Sequence, residues 1–193
     1  VVEAAVVLPS RSSYNLRISD DSFVDDLKVL VEGIRKAAKA DVRVGIQLTH
    51  FLKIARSGWR QLVTDFKKED LPVIVDQHVQ GAKRAVEAGF DFVELHMAHA
   101  YTLSSFLSLA NERTDEYGGS ALKNRMRLPL EVYGAVRDAL GADYPIGVRI
   151  NGEDFTIKGT TLLQSTKIAK KLAESGVAYI SVSAGSRFED APP

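Results

Sequence analysis

Residues 90–120 read FDFVELHMAHAYTLSSFLSLANERTDEYGGS, and the first third of that stretch decides how the chain is organised. Residues 90–96 are a short strand-forming run ending at His96, with His99 and Tyr101 directly behind it. Three groups able to donate or accept a proton therefore fall within six residues, where a strand gives way to a loop. In parallel α/β proteins the loops after the carboxyl ends of strands form the ligand face.

Strands and helices alternate on both sides of that turn. Upstream, residues 2–8 form a strand stopped by Pro9 and the polar residues 10–15. Phe23, Leu27, Leu30, Val31 and Ile34 then recur at helical spacing behind the helix-start residues 19–21. Residues 42–48 form a second strand. A polar connection over 50–70 holds Trp59, and a helix follows over 72–88 with Gly89 at its end. Downstream come a helix over 127–140, a strand over 146–151, a helix over 161–174 and a strand over 178–183, with Gly141 and Gly176 behind the two helices. This order predicts an α/β fold with a parallel sheet, in a single domain spanning residues 1–193.

The alternation within strands sharpens the fold. Ile146, Val148 and Ile150 share one face, and Gly147, Arg149 and Asn151 the other. Val44, Ile46 and Leu48 oppose Arg43, Gly45 and Gln47; Val93 and Leu95 oppose Phe92, Glu94 and His96; Ile180 and Val182 oppose Ser181 and Ser183. A sheet buried by helices on both sides is apolar on both faces. One apolar face and one that turns polar toward the carboxyl ends fits a TIM (β/α)8 barrel, with helices outside and a polar ligand at the mouth. Antiparallel strands with one wet face are the alternative, which the intervening helices oppose. Five strands are legible where a full barrel has eight, so an incomplete barrel is expected, with exposed edges that invite self-association. No GxGxxG follows a strand, which argues against a dinucleotide-binding Rossmann site.

Composition excludes several function classes. Lys plus Arg equals Asp plus Glu at 25 each, so no net field draws nucleic acid or an anionic membrane. The chain has no cysteine, hence no disulfide, thiolate metal site or iron–sulfur ligation in this segment, as in a cytoplasmic protein. No apolar run approaches the roughly 20 residues of a membrane span. The opening VVEAAVVLP lacks the features of a signal peptide and reads as a strand from within a longer sequence.

The runs ELHMAHAYTLSSFLS (94–108), NERTDEYGGS (111–120) and KNRMR (123–127) closely resemble the old yellow enzyme family of FMN-dependent ene-reductases. That family's pattern reads roughly E-[IL]-H-x-A-[HN]-G-Y-L-x-x-x-F-L-S, then N-x-R-T-D-E-Y-G-G-S and x-N-R-x-R. IQLTH at 46–50, YPIGVRIN at 144–151 and YISVSAG at 179–185 extend the resemblance along nearly the whole chain. The resemblance implies that the chain supplies about strands 2–6 of the family barrel. It also implies a reaction, the reduction of activated C=C bonds of enone or enoate type with NADH or NADPH as electron source and FMN as cofactor. A small activated alkene is then the partner, alone or with further barrel segments or a second copy of the chain.

Residue by residue, the resemblance implies that His96 and His99 bind the activating oxygen of the substrate. It makes Tyr101 the proton donor to carbon, Gln47 a contact to the flavin pyrimidine edge and Arg149 the cation beside flavin N1. Hydride leaves flavin N5, negative charge grows on the activating oxygen, and two N–H donors stabilise it. Arg149 is open to a second reading as the ion-pair partner of Glu94, although Gln47 on the same face favours the flavin contact. His-x-x-His beside Glu94 also has metal-ligand spacing, but no third ligand is clearly placed. Arg113, Asp115, Glu116, Tyr117, Gly118 and Gly119 read as a lock on the long loop, with Asn124 and Arg125 serving the same end. Trp59 and Phe188 are candidates for the substrate mouth or for ordinary packing. His50 has no strong case, and His78 is expected on a helix surface.

Three departures qualify the resemblance: Ala100 replaces the family's glycine before the tyrosine, His50-Phe51-Leu52-Lys53 replaces H-A-G-R, and Leu109 stands where proline is frequent. The family strands that hold N5, O4 and the FMN phosphate lie outside these residues. Two further readings therefore stand: a larger flavin and iron–sulfur relative that oxidises amines or reduces enoyl thioesters, or a half-barrel without catalysis.

Overall fold

The computed structural model describes residues 1–9, 15–53, 57 and 59–185. Phe188 and most of the loop over 10–15 lie outside them. Among the described residues six strands, β1 (Ala4–Val6), β2 (Leu16–Arg17), β3 (Gly45–Thr49), β4 (Phe92–Met97), β5 (Ile146–Asn151) and β6 (Ile180–Ser183), form one parallel sheet in the order β2-β1-β3-β4-β5-β6. The helices are α1 (Val24–Ala37), α2 (Leu71–Glu87), α3 (Thr102–Leu107), α4 (Leu122–Arg125), α5 (Arg127–Leu140) and α6 (Leu162–Glu174). The sheet has one more strand than the sequence pattern showed: β2 is two residues long, too short for any alternation to register. Helices α3 and α4 likewise arise within a stretch read only as loop.

The apolar strand faces pack as their alternation requires. Ile46, Leu48, Val93, Leu95, Ile146, Val148 and Ile150 are buried in one core with Leu27, Ala82, Ala85, Leu128, Val132 and Leu172 from the helices. Each such valine, leucine or isoleucine contributes roughly 1.5–3 kcal/mol by leaving water. The opposite, inward face begins with two glycines that make room for rings. A Cβ on Gly45 would lie 2.1 Å from the Phe92 ring, and one on Gly147 2.2 Å from the Tyr179 ring. Those rings meet edge to face at 5.9 Å and floor the interior.

Helix α2 corrects one expectation. His78 is 0% exposed, because it shares the inward stripe with Ile74, Ala82 and Ala85. Its Nδ1 bonds the Ile74 carbonyl at 2.8 Å, and its ring stacks on His50 at 6.1 Å. At the far edge β6 is only partly buried, and Val182 is 65% exposed. No helix among the described residues is long and apolar enough to cross a membrane.

Candidate active site at the carboxyl end of the sheet

Strand register assembles the inward polar face. Gln47 lies beside Glu94, His96 beside Arg149, and Asn151 beside Ser183. Glu94 is 1% exposed, and its Oε1 accepts two hydrogen bonds, from Gln47 Nε2 at 2.6 Å and from Arg149 Nε at 3.1 Å. Arg149 is thus an ion-pair partner of Glu94. Its two terminal nitrogens make no hydrogen bond among the described residues and are left for the mouth.

Above this layer His96, His99 and Tyr101 converge. The His96 ring centre lies 5.3 Å from that of His99, perpendicular to it, and 4.7 Å from that of Tyr101. The Ala98 N–H donates to His96 Nδ1 at 3.3 Å, which makes Nδ1 the acceptor and places the ring proton on Nε2. Burial, then the proximity of His99 and Arg149, pushes His96 down to about 3, so it is a neutral N–H donor near neutral pH. His99 is also lowered, first by burial and then by Arg149, with Asp154 opposing.

The turn carrying these groups is tightly held. His99 (φ 57) and Ala100 (φ 55) are consecutive left-handed residues, which swing the chain from β4 into α3 with Tyr101 at the helix cap. The His99 N–H reaches Asn151 Oδ1 at 3.4 Å, and Asn151 Nδ2 donates to Asp154 Oδ1 at 2.5 Å and to the Gly185 carbonyl at 3.1 Å. On the other side, Thr102 is bound to His50 through backbone and side chain. Sequence reasoning missed that part for His50 and Thr102. The available signal was His50 at the strand's end together with a threonine where the family pattern has leucine.

The loop lock read from sequence is present for most of its members. The Arg113 guanidinium donates to the Val63 and Phe66 carbonyls at 2.6 and 2.7 Å and pairs with Asp115. Glu116 pairs with Lys68, and the Tyr117 hydroxyl donates to Glu131. Gly118 has no room for a side chain: a Cβ would lie 2.5 Å from Asn111 Oδ1. Arg125 binds the loop carbonyls, whereas the Asn124 side chain makes no hydrogen bond among the described residues. Trp59 is 53% exposed and outside the core.

Buried polar atoms without partners test the fit of a flavin. Thr49 Oγ1 on the inward face completes no hydrogen bond, nor do Glu94 Oε2 and the Tyr179 hydroxyl deeper in the interior, and such groups are uncommon in folded proteins. With the Gln47 amide and the outer edge of Arg149, the unpartnered Thr49 Oγ1 suits a planar, polar ring laid across the strand ends. No group of three or more His, Asp or Glu side chains suited to a metal occurs among the described residues.

Comparison with known proteins bears on the family and the fold. The sequence profile of the NADH:flavin oxidoreductase / NADH oxidase family matches residues 52–192. An NADPH dehydrogenase of Geobacillus sp. (strain WCH70) is 37% identical over 202 aligned residues, covering 96% of this chain and 58% of that protein. An NADH oxidase of Thermoanaerobacter brockii is 44% identical over 117 residues, 60% of this chain and 18% of that protein. Among solved structures, morphinone reductase superposes with a TM-score of 0.74 at 25% identity, over 93% of this chain and 57% of its own. The chain thus spans little more than half of the NADPH dehydrogenase it matches.

Proposed function

The chain belongs to the NADH:flavin oxidoreductase / NADH oxidase family, and from that premise we propose that it carries the substrate-activating half of an FMN-dependent reductase of activated C=C bonds. It contributes an open, six-stranded part of the family's TIM (β/α)8 barrel. The observation that carries the reading is the convergence of two histidines and a tyrosine beside Arg149, with His96 presenting Nε2–H.

In this reading Gln47 and Arg149 hold the pyrimidine edge of FMN. When bound, FMN supplies the hydride for the β-carbon of the alkene, and NADH or NADPH replaces it. His96 and His99 donate hydrogen bonds to the activating oxygen as negative charge grows there; one such donor is worth about 3–4 kcal/mol in comparable sites. Neutral histidines suit this task, since each offers an N–H without surrendering its proton to the oxygen. Tyr101, against the His96 ring, delivers a proton to the α-carbon as general acid.

Titration of the chain with FMN, followed by assay with NADPH and 2-cyclohexenone, tests the reading. Flavin binding with enone turnover is expected, and H96A/H99A is expected to keep FMN while losing turnover by at least a hundredfold. Failure to bind FMN, or unchanged turnover in the double variant, overturns it.

The 44% identity to the Thermoanaerobacter brockii NADH oxidase favours a second reading, in which the same site serves a longer flavoprotein. NADH consumption without alkene reduction would select it.

A further inference from the structure

We propose that Glu94 is a positioning residue that aligns Gln47 and Arg149 for the flavin and offsets the charge Arg149 presents to it. The inference rests on the FMN reading above. Three strands meet at this carboxylate: Gln47 on β3, Glu94 itself on β4 and Arg149 on β5, with both neighbours donating to the same oxygen.

The burial of the pair is lopsided. The Glu94 side chain is 1% exposed and that of Arg149 30%, so the acid lies beneath and the cation forms the mouth. A guanidinium is a rigid planar fork, so fixing its Nε fixes the direction of the two terminal nitrogens. Gly147, directly opposite Glu94 in the β4–β5 register, makes room for the Tyr179 ring on the interior floor. Arg149 is the only cation within 4.0 Å of Glu94 among the described residues, and a buried carboxylate without one is strongly disfavoured. The other groups at this carboxylate are neutral. Tyr179 on the interior floor is pushed up by burial and by Glu94, which keeps the phenol protonated. His96, in the layer above, is neutral.

A cation at the N1 edge favours the anionic reduced flavin over the oxidised form. A carboxylate directly behind that cation weakens the preference while holding the guanidinium in place. Glu94 thereby separates two properties that a lone arginine would couple, namely the orientation of the flavin-binding edge and the net charge at it.

Two variants separate the two roles. E94Q keeps an oxygen for both hydrogen bonds and removes the charge. Bound FMN is expected to retain its affinity within about twofold, while the ratio of reduced to oxidised FMN binding rises about tenfold, which for a two-electron couple is about 30 mV. E94D keeps the charge and shortens the reach, so the oxidised FMN dissociation constant is expected to rise about tenfold with little change in potential. The readouts are FMN fluorescence titration and the midpoint potential at pH 7, with circular dichroism confirming the fold; E94D carries the test where E94Q does not fold. An unshifted potential in E94Q, or unchanged FMN affinity in E94D, overturns the inference alone. Absence of FMN binding by the unaltered chain overturns the reading of the site and this inference with it.

Discussion

The His50 carbonyl accepts the Thr102 N–H at 2.9 Å while His50 Nδ1 lies 2.7 Å from Thr102 Oγ1, so the end of β3 holds the residue after Tyr101 by two bonds. Both residues are buried, and Thr102 stands where the family pattern has leucine. Replacing the hydroxyl by a methyl in Thr102→Val conserves shape and strands His50 Nδ1 in the interior. An unmet buried polar group costs about 1–3 kcal/mol. Urea denaturation is expected to show a loss in that range, and enone turnover is expected to fall with FMN affinity unchanged, because the bond fixes Tyr101 and not the flavin.

Ala100 pays for its place with a left-handed backbone, φ 55, at the position where the family pattern has glycine. A side chain in that region costs roughly 1–2 kcal/mol, partly offset by the greater freedom glycine has when unfolded. Ala100→Gly is therefore expected to raise the unfolding free energy by about 0.5–1 kcal/mol, and Ala100→Val to lower it by more than that. A lower urea midpoint for the glycine variant would contradict the assignment of strain to this residue.

Much of this architecture was legible because the periodicities were long. Arg127–Leu140 and Ile146–Asn151 coincide with the elements read from pattern alone, and the polar parity of Gln47, Glu94, His96 and Arg149 correctly placed them on one face. Illegibility followed from scale and from residue type. Leu16–Arg17 is too short to alternate, and Thr102–Leu107 carries three hydroxyl residues that read as loop. His78 was misplaced because its polarity outweighed its position, four residues after Ile74 and four before Ala82 on the buried stripe. The shared Glu94 oxygen was beyond reach, since sequence names the neighbours on a strand and not which atom two of them choose.

All four histidines of the chain are held below the ordinary histidine value, and burial is the first cause in each: His50 and His96 fall to about 3, His78 to about 4, and His99 is lowered. The folded state refuses protons that the unfolded chain takes up below its own value of about 6.5. Stability from this source is thus complete above about pH 6.5 and is lost as pH falls through 4 toward 3, by about 1.4 kcal/mol per pH unit for each fully buried histidine within the window. Asp91 and Asp115, whose carboxyls are depressed, act only below about pH 4 and do not confuse the interval. The urea midpoint is expected to drop markedly between pH 7 and pH 5, and His78→Leu to make that drop shallower. Equal midpoints at the two pH values would refute the account.

Arg125 is 0% exposed, yet no carboxylate lies within 4.0 Å of its guanidinium among the described residues. Its charge is instead shared among backbone carbonyls: Nε donates to Leu107 at 3.0 Å, and Nη1 to Gly119 and Ser120 at 2.8 and 2.7 Å, while Nη2 reaches Gln164 Oε1 at 3.0 Å. These bonds stitch the end of α3, the loop before α4 and the start of α6 into one unit. Arg125→Met leaves those carbonyls without donors and is expected to cost about 3–5 kcal/mol. Arg125→Lys keeps a charge but has a single point of donation in place of the fork, and should lie between the two. The order Arg, Lys, Met in urea midpoint is the check; a methionine variant as stable as the parent would show that burial of the aliphatic stem, and not the carbonyl cage, is what this position supplies.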